Sequence, residues 1–237
     1  MLIVVEDARF MRNTGLVLLT LTAMAFAPKY FGPLLTGSYV PPSRFMHSHA
    51  VTALLWTLIF IAQPWLIANG RRSLHRTVGY YALAVAVANI VSGVAVQLDT
   101  LPTSEDDYSN IVGGGFRLFH SVPAFTIFLF AAIAMRSRTD WHLRFMYQTA
   151  IAAVATILGR ILVFYGNLSE DIAGPLIPLG NLAFVLLLPA YDYLKYRKVH
   201  TASWIGVGAF FVFQAIATPI VFSGFWTDYA TGRPSFG

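Results

Sequence analysis

The residues best able to do chemistry in this chain of 237 residues are its six histidines. His47 and His49 stand in HSH, His75 in LHR, His120 in FHS and His142 in DWHLR. A neutral imidazole binds a metal or a haem iron through one ring nitrogen and changes charge near neutral pH, so facing histidines could ligate a cofactor. His200, in KYRKVH, reads instead as a boundary residue whose polar tip reaches headgroups or caps a helix. With no cysteine in the chain, disulfides, thiolate metal sites, iron–sulfur clusters and covalently attached c-type haem are excluded. The sequence carries no phosphate loop, GxGxxG, GxSxG or HExxH, and GGG at Gly113 to Gly115 reads as a flexible helix entry.

The elements that must position these histidines are apolar helices. At 57% hydrophobic and 11% charged residues, the chain is too apolar for a soluble domain of its size. Runs of roughly 20 apolar residues, enough to span a bilayer, predict an all-α polytopic bundle. The spans run from Gly15 to Leu35, His47 to Ala68, Thr77 to Leu98, Phe116 to Met135, Leu143 to Phe164, Pro175 to Leu194 and Ala202 to Phe225. Glu6 and Asp7 spoil a basic leader, so the first run reads as a retained helix. We expect one integral membrane domain, 1–237, around a four-helix histidine core, 47–164.

Charge sets the expected orientation. Arg71, Arg72 and Arg76, then Arg136, Arg138 and Arg144, then Lys195, Arg197 and Lys198 mark three loops as cytoplasmic, whereas QLDTLPTSEDDYSN and NLSED are acidic. This places the N-terminus inside and the C-terminus outside. The net charge of +5 reads as topology and contact with the lipid bilayer, not as a nucleic-acid surface.

On that topology the histidines form two levels. His49 and His120 share the outer one, His75 and His142 the inner one, each pair drawn from alternate helices that face across a four-helix core. The levels are about 20–25 Å apart after tilt. His47 and His49 are about 200° apart on a helix, and His49 is the better core candidate because Trp56 and Gln63 continue its face. Further stripes are His75, Gly79, Ala82, Ala86, Asn89 and Gly93, and His142, Thr149, Ala153, Thr156 and Arg160. Their small members suit either close helix packing or room for a flat macrocycle. Bis-imidazole ligation of haem is supplied twice by this layout, with Arg117, Arg76 and Arg144 placed to receive propionates. Asp192 is expected either to pair with Arg76, Arg144 or Lys195, or to orient His75 or His142 as a ligand.

Four helices in a row with one histidine each, pairing first with third and second with fourth, resemble the transmembrane diheme b-type cytochromes, the superfamily of ascorbate-linked cytochromes and ferric reductases. That resemblance implies noncovalent haem b on His49, His120, His75 and His142. The elements GRRSLHRTVGYY, DWHLRFM, GRIL and YDYLKYRKVH are similar to predicted multi-pass membrane proteins of bacteria that carry LHRxxG and HxRxM, which implies an inner-membrane protein.

Three functions follow as expectations. The first is a b-type electron carrier, a membrane oxidoreductase working between a quinol or cytoplasmic donor and an outer-face acceptor or redox partner protein. The second is a transporter or binding protein for a small molecule or anion, with a polar core of Gln63, Asn89, Thr149, Thr156 and Arg160. The third is a membrane metalloenzyme using His75, His142 and Asp192.

Overall fold

The computed structural model describes residues 2–101 and 108–232. Among them the chain is all-α, without a strand. Seven helical stretches are long and apolar enough to cross a membrane: Val5–Thr36, Met46–Ala68, Arg72–Asp99, Asn110–Ala134, Thr139–Phe164, Ile172–Tyr196 and Thr201–Val221. Each overlies one expected span. The last ends early, because Ser223 accepts the Trp226 N–H at 3.2 Å and starts a new short helix.

In chain order the helices are α1 (Leu2–Phe26), α2 (Gly32–Thr36), α3 (Met46–Ala68), α4 (Arg72–Asp99), α5 (Tyr108–Phe116), α6 (Val122–Ala134), α7 (Thr139–Ile151), α8 (Val154–Phe164), α9 (Glu170–Tyr196), α10 (Thr201–Val221) and α11 (Gly224–Thr231). Between α1 and α2, and between α5 and α6, the chain stays helical but widens into one π-helical turn, Ala27–Phe31 and Arg117–Ser121. Proline explains both. Pro33 and Pro123 follow these turns, and a proline ring crowds the carbonyl four residues back while offering no N–H. Widening by one residue relieves the clash, and Gly32 N–H and Val122 N–H bond to Ala27 O and Arg117 O instead.

The chain divides into two compact units, Met1–Asp99 and Thr100–Gly237. In the first, α3 packs against both α1 and α4. Gly15 permits the α1 contact, since a Cβ there would stand 2.6 Å from Ile61 Cγ1. Gly70, at φ 73°, closes α3 in a left-handed turn in which Arg71 N–H bonds Leu66 O at 2.9 Å. Helix α4 can therefore begin at once and run back along α3.

In the second unit α10 is the central helix, packed by α5, α6, α7, α9 and the π-helical turn. The GGG segment is not a flexible entry but lies inside helix α5. Gly115 faces Val221 and Trp226, and the Trp226 indole N–H donates to Ile111 O at 3.0 Å. The fifth span carries a two-residue turn at Ala152 and Ala153, both still in the right-handed helical region, between α7 and α8.

Candidate functional site

Sequence-predicted residues of the first unit are engaged in packing. His49 turns to α4, where its Nδ1 lies 3.4 Å from Ser92 Oγ, and a Cβ on Gly93 would stand 3.1 Å from its Cε1. The small stripe of α4 is thus close packing at this level. His47 turns elsewhere, its Nδ1 3.1 Å from Tyr30 Oη and its ring edge-on to Tyr39. The two residues of HSH do face different neighbours. Gln63 Oε1 and Asn89 Oδ1 are buried without a hydrogen-bond partner among the described residues. His75 is half-buried, while Arg76 and Gly79 are exposed.

In the second unit, Arg144 and Asp192 form the ion pair that the sequence offered as one use of Asp192. Arg144 grips both carboxylate oxygens, through Nε at 3.1 Å and through Nη2. Asp192 Oδ2 also accepts from Ser203 Oγ at 2.5 Å and from His200 N–H at 3.2 Å. The pair is sealed, with Arg144 4% and Asp192 0% exposed, and it ties α7 to α9 and α10. Arg144 therefore has a carboxylate partner within the protein. His142 uses Nδ1 to reach Ala132 O at 2.8 Å, which leaves Nε2 the acceptor nitrogen. His200 has the capping role expected of it: its Nδ1 accepts from Ala202 N–H at 3.1 Å. Arg117 folds its guanidinium back over Gly113, and Arg160 is close enough for the two charges to repel.

The remaining histidine lines a cavity. His120 sits in the π-helical turn, a feature that often marks functional positions, and its ring lies edge-on to Phe210 and Phe213 at 5.7 and 6.0 Å. Its Nε2 has no hydrogen-bond partner among the described residues, and the same holds for Gln148 Nε2 on α7 and Asn181 Oδ1 on α9. All three residues line one cavity, otherwise walled by groups such as Phe128, Ile151, Val185 and Phe210. They are almost wholly buried, at 6%, 3% and 4% exposure. Gly206 on α10 completes the wall by leaving room for the Gln148 amide.

Counting its mouth, the cavity holds about 290 Å³ of empty space, and its centre admits about one water-sized body. Within this unit His120 has a bare ring nitrogen of the kind that haem ligation requires. Each expected haem pair draws one histidine from each unit. Asp192 is paired with Arg144, and among the described residues no three histidine, aspartate or glutamate side chains are grouped to hold an ion.

No family model, curated protein or solved structure matches this chain.

Gln148, Asn181 and Gly206 were not among the expected site residues. A signal for the first two exists: FMYQTAI and PLGNLAF each put one amide inside an apolar span, where a polar side chain faces protein or a cavity. The expected stripe ran from His142 to Thr149 along one face of α7, and Gln148 lies one residue, about 100°, to the side of it.

Proposed function

We propose that the chain is a multi-pass protein of a bacterial cytoplasmic membrane whose second unit binds and passes a small polar solute at His120, Gln148 and Asn181. One observation carries this reading: three nearly inaccessible polar atoms, on three different elements, meet at one small cavity with apolar walls. A buried polar group without a partner costs about 1–3 kcal/mol. Three together approach the roughly 5–15 kcal/mol net stability of a whole domain, so a polar occupant supplies the missing bonds. Gln63 Oε1 and Asn89 Oδ1 are also unpartnered among the described residues, but only His120, Gln148 and Asn181 bring such atoms to this one cavity. A membrane origin is supported by the seven apolar helices, and a bacterial cytoplasmic one by the LHRxxG and HxRxM elements.

The test is reconstitution of the purified protein into vesicles, with permeation followed for a panel of water, ammonia, glycerol, urea and chloride. A visible spectrum is taken on the same sample. At least one solute is expected to cross faster than in protein-free vesicles and to slow in Gln148→Leu. A Soret band lost in His120→Ala would replace this reading with haem ligation, and no effect on any solute would end it.

A further inference from the structure

The chemistry of the three polar atoms restricts what the cavity can take. Gln148 Nε2 is a donor, Asn181 Oδ1 is an acceptor, and His120 Nε2 serves as either, depending on the imidazole tautomer. An occupant that satisfies all three must offer both a lone pair and a hydrogen-bond donor. Its size is that of a water molecule, because the centre of the cavity admits no more. Its charge is also limited. Among the described residues the cavity lining holds no carboxylate, ammonium or guanidinium, and an ion without a counter-charge is costly at membrane depth.

We infer that the site takes a neutral amphiprotic molecule of water's size, ammonia or water itself, and rejects ions and larger solutes. This rests on the reading of the cavity as a solute site. Carbon dioxide and dioxygen lack a donor and leave Asn181 Oδ1 bare. Glycerol and urea carry the right groups but exceed the space. The polar triad therefore recognises by donor–acceptor balance, and Phe128, Phe210 and Phe213 exclude by volume and dryness.

The experiment uses the full chain in vesicles of phosphatidylethanolamine and phosphatidylglycerol. Water flux is read by stopped-flow light scattering after an osmotic step. Ammonia entry is read with an internal pH-sensitive dye after an ammonium chloride step, so the two arms separate the two molecules. In wild type, at least one of these rates is expected to rise several-fold over protein-free vesicles, with glycerol, urea and chloride unchanged. Gln148→Leu and Asn181→Leu, which replace the amides by apolar groups of similar size, should return the rate to baseline. Gln148→Met serves if a leucine variant does not fold, and the wild-type selectivity is a test by itself.

A rate that rises but is unaffected by both substitutions overturns the inference, since the path then lies elsewhere. If glycerol, urea or chloride crosses and neither water nor ammonia is accelerated, the inference fails while the solute-site reading stands. If nothing crosses faster, both fall.

Discussion

Gln148 occupies the space that a side chain at position 206 would need. A Cβ built on Gly206 would stand 2.1 Å from Gln148 Nε2 and 2.6 Å from its Cδ. The amide on α7 is thus held at the cavity wall because α10 presents a glycine there. Loss of that glycine moves the end of a flexible side chain, whereas the backbones need not part.

Gly206→Ala is accordingly expected to separate function from stability. Swinging the amide aside costs at the low end of the overpacking range, about 1 kcal/mol, while the donor leaves the site. Thermal unfolding in detergent should show a small drop, and solute permeation in vesicles a large one. Equal losses in both would mean that the glycine serves packing alone.

Gly115→Ala should behave in the opposite way. Its Cβ would stand 2.7 Å from Val221 Cγ2 and 2.8 Å from Trp226 Nε1. Trp226 cannot swing, being 1% exposed and bonded to Ile111 O. A cost toward the upper part of the roughly 1–3 kcal/mol overpacking range is expected, along with a lost indole hydrogen bond. Permeation by the protein that still folds should stay near wild type. A melting temperature within a degree of wild type would show that α5 is free to move away from α10 and α11.

The fold was legible because span length and apolar content are properties of sequence alone, and all seven helices lie where hydropathy puts them. Side-chain direction was less so. HSH resolved as helix geometry requires, with His49 against Ser92 and His47 against Tyr30. The fifth span was read less fully: its turn at Ala152 has no proline or glycine to announce it, and the expected stripe through Thr149 passed one residue to the side of Gln148. His120 was found by its type. Its partners were not, since a lone glutamine and a lone asparagine in apolar helices form no motif until the packing of α7, α9 and α10 brings them together.

Haem binding through His120 is open to a direct spectroscopic measurement. With a water-sized space before its Nε2, protein purified from haem-replete cells is expected to show no Soret band that depends on His120. Visible spectra of wild type and His120→Ala, normalised to protein, should then coincide. A band near two haems per chain that halves in the variant would mean that the cavity opens to admit the macrocycle.

The last prediction concerns the ion pair at the other end of α7. Arg144 and Asp192 are both sealed from solvent, so removing one partner leaves an uncompensated buried charge. Such a break costs about 3–5 kcal/mol. Arg144→Met and Asp192→Asn should each lose that much in thermal or denaturant unfolding. The double variant is expected to be more stable than Arg144→Met, because no charge is left and the asparagine oxygen still accepts from Ser203 Oγ and His200 N–H, the bonds that Asp192 makes now. A hydrophobic residue at 192 in the double variant should do worse than asparagine by roughly 1–3 kcal/mol for each donor left bare. Additive losses in the double variant would show that the two charges are not coupled, and that the clamp between α7, α9 and α10 rests on the serine and backbone bonds alone.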